Sequence, residues 1–168
     1  MILPGHIAAS YLCHRHLSAE LTPALLAGVA PDVIDKAAHY LLRASPSSRL
    51  PMHTLLGWFA STLLVALIAW LLARARGHHG LSRRWAWAWF AGYGAHLLCD
   101  SPLVGQDLPL LWPWRAYAYS STGVPLGYLF DGGPLPWWTL LAETLLVLYT
   151  LTAAPPVKAW LLRRRARA

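Results

Sequence analysis

Acidic side chains are scarce in this chain: Asp and Glu total seven in 168 residues, against fourteen Lys and Arg. Charged residues of both signs make up only 12%, about half the share usual in soluble domains. So few charges do not readily cover the surface of a water-soluble globule. Cysteine is nearly missing as well. Cys13 and Cys99 each lie in an apolar stretch, without a CxxC partner or metal-type spacing, so core packing is their expected role. The opening residues, Met1-Ile2-Leu3-Pro4-Gly5-His6, lack the positive n-region of a cleavable signal peptide. Targeting is therefore expected to fall to the first full span. No internal repeat is evident.

Apolar and aromatic residues are abundant. Hydrophobic residues reach 57%, and ten are tryptophan. A bilayer-embedded bundle accommodates such a composition, and the length suits one domain covering 1–168. The net charge of +7 first suggests a nucleic-acid partner, but its distribution argues against one. Arg74, Arg76, Arg83 and Arg84 follow one apolar run; Lys158, Arg163, Arg164, Arg165 and Arg167 follow the last. Basic clusters flanking apolar spans mark the cytoplasmic side. No aromatic-basic groove motif accompanies them, so no nucleic-acid partner is expected.

Along the chain, residues from about Pro4 to Leu17 read as a helix that places His6, Ser10, Cys13 and Leu17 on one face. A second helix, from Thr22 or Pro23 to Val29, is too short to cross a bilayer. Pro31-Asp32-Val33-Ile34-Asp35 then leads into a polar segment ending near Met52, where Arg43, Ser45, Pro46, Ser47, Ser48 and Arg49 suggest a surface loop. Leu55–Ala73, Trp85–Cys99 and Trp137–Ala153 are the candidate spans. Gly92 and Gly94 suit close helix packing in the second. Residues 101–136, rich in Pro and Gly, read as a long ordered loop. Trp85, Trp87, Trp89, Trp137 and Trp138 suit interfacial belts. The expected fold is all-α: a polytopic membrane helical bundle with about three full spans plus N-terminal membrane-associated helices.

Asp35 and His39 are four residues apart, as are His96 and Asp100. On a helix each pair shares a face and can bind one ion. Spacing alone is a weak signal, since His16 and Glu20 repeat it as an expected solvated pair. Location is the stronger signal. His96 and Asp100 end an apolar helix, where an ionisable side chain is costly. With the loop 74–84 cytoplasmic, His53, His96, Asp100 and Glu143 all fall on the opposite membrane face. Asp32 and Asp35 precede His53 with no crossing between them. The simpler alternative is structural, since buried histidines are commonly hydrogen-bonded core residues and aspartates after proline often cap helices. His14, His16, His78 and His79 read as outside any site.

Ala27-Gly28-Val29-Ala30-Pro31-Asp32-Val33-Ile34-Asp35, Arg49, His53-Thr54, Gly92-Tyr93-Gly94-Ala95-His96-Leu97-Leu98-Cys99-Asp100 and Leu110-Leu111-Trp112-Pro113-Trp114 together resemble the membrane-bound metal-dependent hydrolases. Some of these are described as LexA-binding, inner-membrane-associated hydrolases of bacteria. That family is distantly similar to zinc-dependent phospholipases C, which are all-helical enzymes with clustered zinc. The resemblance covers most of residues 1–115 and implies His6, Asp32, His53, His96 and Asp100 as metal ligands. The chain departs from the family pattern twice. A residue is inserted before Asp35, where the family has Pro-Asp-x-Asp, and Ser48 replaces a histidine before Arg49. His39 is a conceivable substitute ligand.

The expected function is hydrolysis of a phosphoester in a membrane lipid or lipid-linked substrate, on the extracytoplasmic face of the inner membrane. One to three divalent ions, zinc foremost, would be held by His6, Asp32, Asp35, His53, His96, Asp100 and Glu143. Asp32 or Asp35 would be the general base, and Arg49 would pair with the substrate phosphate. The alternative is a non-enzymatic membrane protein whose structural metal site serves a partner-binding or regulatory module.

Overall fold

The computed structural model describes residues 3–76, 81–100, 108–116 and 137–154. Among them, all regular structure is helical. The helices are α1 (Leu3–Leu17), α2 (Leu21–Ala27), α3 (Ala30–Lys36), α4 (Leu55–Arg76), α5 (Leu81–Cys99) and α6 (Trp137–Ala153). A π-helical turn, Ala37–Leu41, continues α3. The rest of the expected loop 101–136, the segment 77–80 with His78 and His79, and the basic tail lie outside the described residues.

Local chemistry explains where the helices start. Pro4, Pro23 and Pro31 all stand in first turns, where a missing N–H costs nothing and the fixed φ favours the helix. Thr54 caps α4: its Oγ accepts a hydrogen bond from Gly57 N at 2.9 Å. The segment after Pro31 corrects the sequence reading. Ala30–Leu41 is helical rather than the start of a loop, because Pro31 opens a helix instead of ending one. The remainder, 42–54, is polar but not merely surface: Ser47, Leu50, His53 and Thr54 are buried.

Helix α5 is the hub, packing against α1, α2 and α4, while α6 lies along α1. Small residues allow this. A Cβ added at Gly92 would run into the Ala24 backbone of α2, and one at Gly94 would lie 2.7 Å from the Trp58 ring of α4. Both glycines therefore serve the close packing expected of them. Ala24, Ala88, Cys13 and Ala19 form one buried cluster between α1, α2 and α5.

Helix α4 is different. It is long and apolar enough to cross a membrane over Leu55–Ala75, and only 11% of its most apolar stretch is buried inside the molecule. A helix that is apolar on its exposed side belongs in lipid rather than in a soluble core. It is the only described helix that meets both the length and hydropathy requirements; α6 is apolar but shorter.

Candidate metal centre

Three histidines and three aspartates gather at one place in the bundle. His6 lies in the first turn of α1, Asp32 and Asp35 on α3, His53 just before α4, and His96 and Asp100 at the end of α5. Asp32, His53, His96 and Asp100 each offer one donor atom, and these four atoms lie within 4.8 Å of one another. His53 Nε2 is 3.1 Å from His96 Nε2, 3.5 Å from Asp100 Oδ2 and 3.7 Å from Asp32 Oδ1. His96 Nε2 is 3.8 Å from the same Asp100 oxygen.

The outer nitrogens of the two central histidines fix what the inner ones present. His96 Nδ1 is 2.9 Å from Gly28 O, a group that can only accept, so Nδ1 carries the proton. His53 Nδ1 is 2.7 Å from Asp35 Oδ2, and an ionised carboxylate likewise only accepts. In the neutral imidazoles, both Nε2 atoms therefore present lone pairs to each other. A carboxylate or backbone carbonyl behind each ring is the arrangement that orients metal-ligating histidines.

Asp35 is fully buried and occupied. It accepts hydrogen bonds from Met52 N at 2.8 Å and His53 N at 3.1 Å as well as from the His53 ring. Its position is that of an orienting group for His53, one step back from the four-donor cluster. Tyr93 on α5 completes the support: its hydroxyl donates to Met52 O at 2.6 Å, fixing the residue before His53.

His6 borders the cluster without belonging to the four. Its ring stacks on His96 with centroids 4.1 Å apart, and Nε2 is 3.3 Å from Asp100 Oδ1. That contact lacks hydrogen-bond geometry, and neither ring nitrogen of this fully buried histidine has a hydrogen-bond partner. Buried polar atoms are rarely left so. Glu143 reaches the same region from α6, where Oε1 accepts from Gly5 N at 3.1 Å in the first turn of α1. It thus complements the α1 dipole beside His6. Arg49 lies half-buried in the loop before His53, its N–H donating to Ser47 Oγ at 3.2 Å. His39 turns away, with Nδ1 2.9 Å from Ser45 O.

The electrostatics favour a cation. Asp32, Asp35 and Asp100 converge on this pocket, and Lys36 Nζ sits 2.9 Å from Asp32 Oδ1. Burial raises the Asp32 pKa, but the hydrogen bond and charge of Lys36 outweigh it and hold the carboxyl below its usual range. Burial likewise pushes Asp100 up, and the close approach of His53 and His6 more than reverses this. For His53, burial disfavours the charged form, yet Asp100 and Asp35 together raise its pKa. Acids held ionised beside two imidazoles suit a divalent ion.

Sequence reasoning did not single out Lys36, Gly28 or Tyr93 as parts of this site. The spacing of Asp32 and Lys36, four apart on a helix, was a usable signal for the first. Gly28 acts through its backbone oxygen, which no side-chain pattern reveals.

Residues 2–161 match the YdjM inner membrane protein family, and the chain belongs to it. It is accordingly an inner membrane protein. No curated protein and no solved structure matches the chain.

Proposed function

We propose that this YdjM-family inner membrane protein is a metal-dependent hydrolase that cleaves a phosphoester in a membrane lipid or lipid-linked substrate. The observation that carries the reading is the cluster of four donor atoms from Asp32, His53, His96 and Asp100 within 4.8 Å of one another, with the two Nε2 atoms facing each other at 3.1 Å. With both rings neutral and Nδ1 protonated, the two Nε2 atoms point their lone pairs at one place, which suits a shared cation. Asp32, His53, His96 and Asp100 would hold the ion, zinc being favoured by the mixed nitrogen and oxygen donors. His6, whose ring nitrogens make no hydrogen bond among the described residues and whose Nε2 lies 3.3 Å from Asp100 Oδ1, would add a ligand.

Zinc held there supplies Lewis acidity toward water and phosphoryl oxygens. The protein's own part is positioning and proton handling. Asp32 is the most exposed member of the cluster, its side chain 19% accessible against 6% or less for the others. It therefore stands where water and substrate enter and suits the role of general base. Asp35, fully engaged with His53 and two backbone N–H groups, suits an orienting role instead. Arg49 and Lys36 supply the cations for a substrate phosphate.

In the membrane, α4 would be accompanied by α5 and α6 as second and third spans, with loop 74–84 on the cytoplasmic side. The cluster then faces the extracytoplasmic side. A second reading, a structural metal in a partner-binding or regulatory module, draws on the donor count. Four donors, three of them buried, also match a closed tetrahedral zinc site.

Elemental analysis of the detergent-purified protein, followed by assay on a chromogenic phosphodiester and on phospholipid, separates the two. Hydrolysis abolished by chelation and restored by zinc or manganese supports the enzyme. Stoichiometric metal with no turnover of any phosphoester, ester or amide supports the structural site. Protein free of metal after zinc dialysis overturns both.

A further inference from the structure

The element that carries the site's acids has a second face. In Ala30–Leu41, Pro31 and Asp35 are buried and Asp32 turns toward His53, whereas Val33, Ile34 and Leu41 are exposed, followed by exposed Leu42. Leu41 is 80% exposed and Leu42 73%, more than Leu63 at 71%, the most exposed large apolar residue of α4. Among the described residues only Trp114, at 74%, stands with them, in the segment 108–116. That segment is tied to the start of α4 by a hydrogen bond from Leu55 N to Leu110 O at 3.0 Å. Among the described residues, the most exposed apolar side chains therefore lie just beyond the helix that carries Asp32 and Asp35 and in the segment tied to the start of α4, rather than along the span.

We propose that this outer face, Val33, Ile34, Leu41 and Leu42 with Trp114, is seated in the headgroup–acyl boundary of the phospholipid leaflet that borders the metal site. Three observations choose lipid as the occupant. The element's Asp35 accepts hydrogen bonds from Met52 N and His53 N just before α4, whose apolar flank is itself exposed from Leu56 and Phe59 onward. The charged residues bordering it, Lys36 and Arg43, are cations, as is Arg115 beside Trp114, while both acids of the element turn inward. Apolar side chains flanked by Lys and Arg, with tryptophan at the edge, match a headgroup interface. The chain, finally, belongs to an inner membrane family. The consequence is that Asp32 opens at headgroup depth, so an amphiphile would reach the cluster sideways from the leaflet. The seating itself does not rest on hydrolysis.

The test uses the full chain carrying Cys99→Ala, in vesicles of phosphatidylethanolamine and phosphatidylglycerol, with single cysteines at positions 33 and 41 bearing nitroxides. Cys13 is buried and stays. Labels at Leu63 and at exposed Ala44 give the lipid and water references. The expected result is an oxygen-to-nickel-chelate accessibility ratio at 33 and 41 several-fold above that at 44, approaching that at 63. A ratio equal to that at 44 places the face in water and overturns the proposal. Shielding from both reagents, with an immobilised label, means protein covers the face and overturns it too. Positions 34 and 42 give the same reading if either label disturbs folding. Because the readout involves no turnover, its failure leaves the hydrolase reading standing, and an inactive protein leaves this one standing.

Discussion

Helices α4 and α5 are neighbours of similar length that do opposite work. Helix α4 turns Leu56, Phe59, Leu63, Leu64, Leu67 and Leu71 outward and keeps only small residues such as Ala69 and Ala73 fully inside. Helix α5 buries Ala88, Gly92, Tyr93, Gly94, His96 and Leu97 and is contacted from three sides. The first is read easily as a membrane span because lipid demands a continuous apolar surface. The second falls short on hydropathy because a hub helix needs small residues for close approach and polar ones for the site. In a membrane protein a helix of low hydropathy can thus be the most central.

The strongest way to break this contrast is at Asp100. Asp100→Ala removes the carboxylate that faces His6 with one oxygen and His53 and His96 with the other. The expected outcome is loss of stoichiometric zinc and of any hydrolysis, measured by elemental analysis and phosphodiester assay. Retention of both sinks the site. Asp35→Asn is expected to be milder. It leaves the four donors intact but weakens the group behind His53, a change that typically lowers metal affinity about 10–100-fold. Unchanged affinity in a competition titration with a zinc dye would remove Asp35 from the supporting role. In every variant that still binds, affinity should fall as pH is lowered, because protons compete for the imidazoles. The carboxylates of Asp100 and Asp35, which raise the His53 pKa, make this ring hold its proton to higher pH than it otherwise would and so sharpen the competition.

Packing gives the next comparison. Gly92→Leu places a side chain against the Ala24 backbone, which cannot move aside without shifting α2. Overpacking of this kind costs about 1–3 kcal/mol, so the unfolding midpoint in detergent should drop. Ala60→Leu, on the exposed side of α4, should leave it unchanged. Equal effects at both positions would mean that α5 is not the hub.

Much of this was legible in the sequence, for identifiable reasons. Uninterrupted apolar runs disclosed α4 and α6, and an ionisable pair at the end of α5 disclosed His96 and Asp100. The metal-type donors stood out because acids are so few. The helix after Pro31 was hidden because proline both opens and ends helices, and the polar residues after it resemble a loop. The division of labour between Asp32 and Asp35 was equally hidden. It depends on Met52 and His53 folding back onto Asp35, a contact made across 17 residues by backbone N–H groups that look alike in any sequence. Glu143 meets Gly5 across 138 residues, and nothing local marks that partnership.

The smallest expected effect is the most direct check on the lipid-facing role of α4. Leu63 is 71% exposed, so truncation to alanine opens no cavity inside the molecule. What it loses is contact with acyl chains, and those chains are as apolar as the leucine they touch. Leu63→Ala should therefore shift stability by no more than about 0.5 kcal/mol and leave zinc stoichiometry unchanged. A water-facing or protein-facing position would behave differently. In water, truncating an exposed leucine would reduce apolar exposure and favour solubility without detergent. Against another subunit, it would cost several times more and change the oligomeric state seen by sedimentation in detergent. A large loss of stability at Leu63, with zinc still bound, would assign the outer flank of α4 to a protein contact and leave the α5 site untouched.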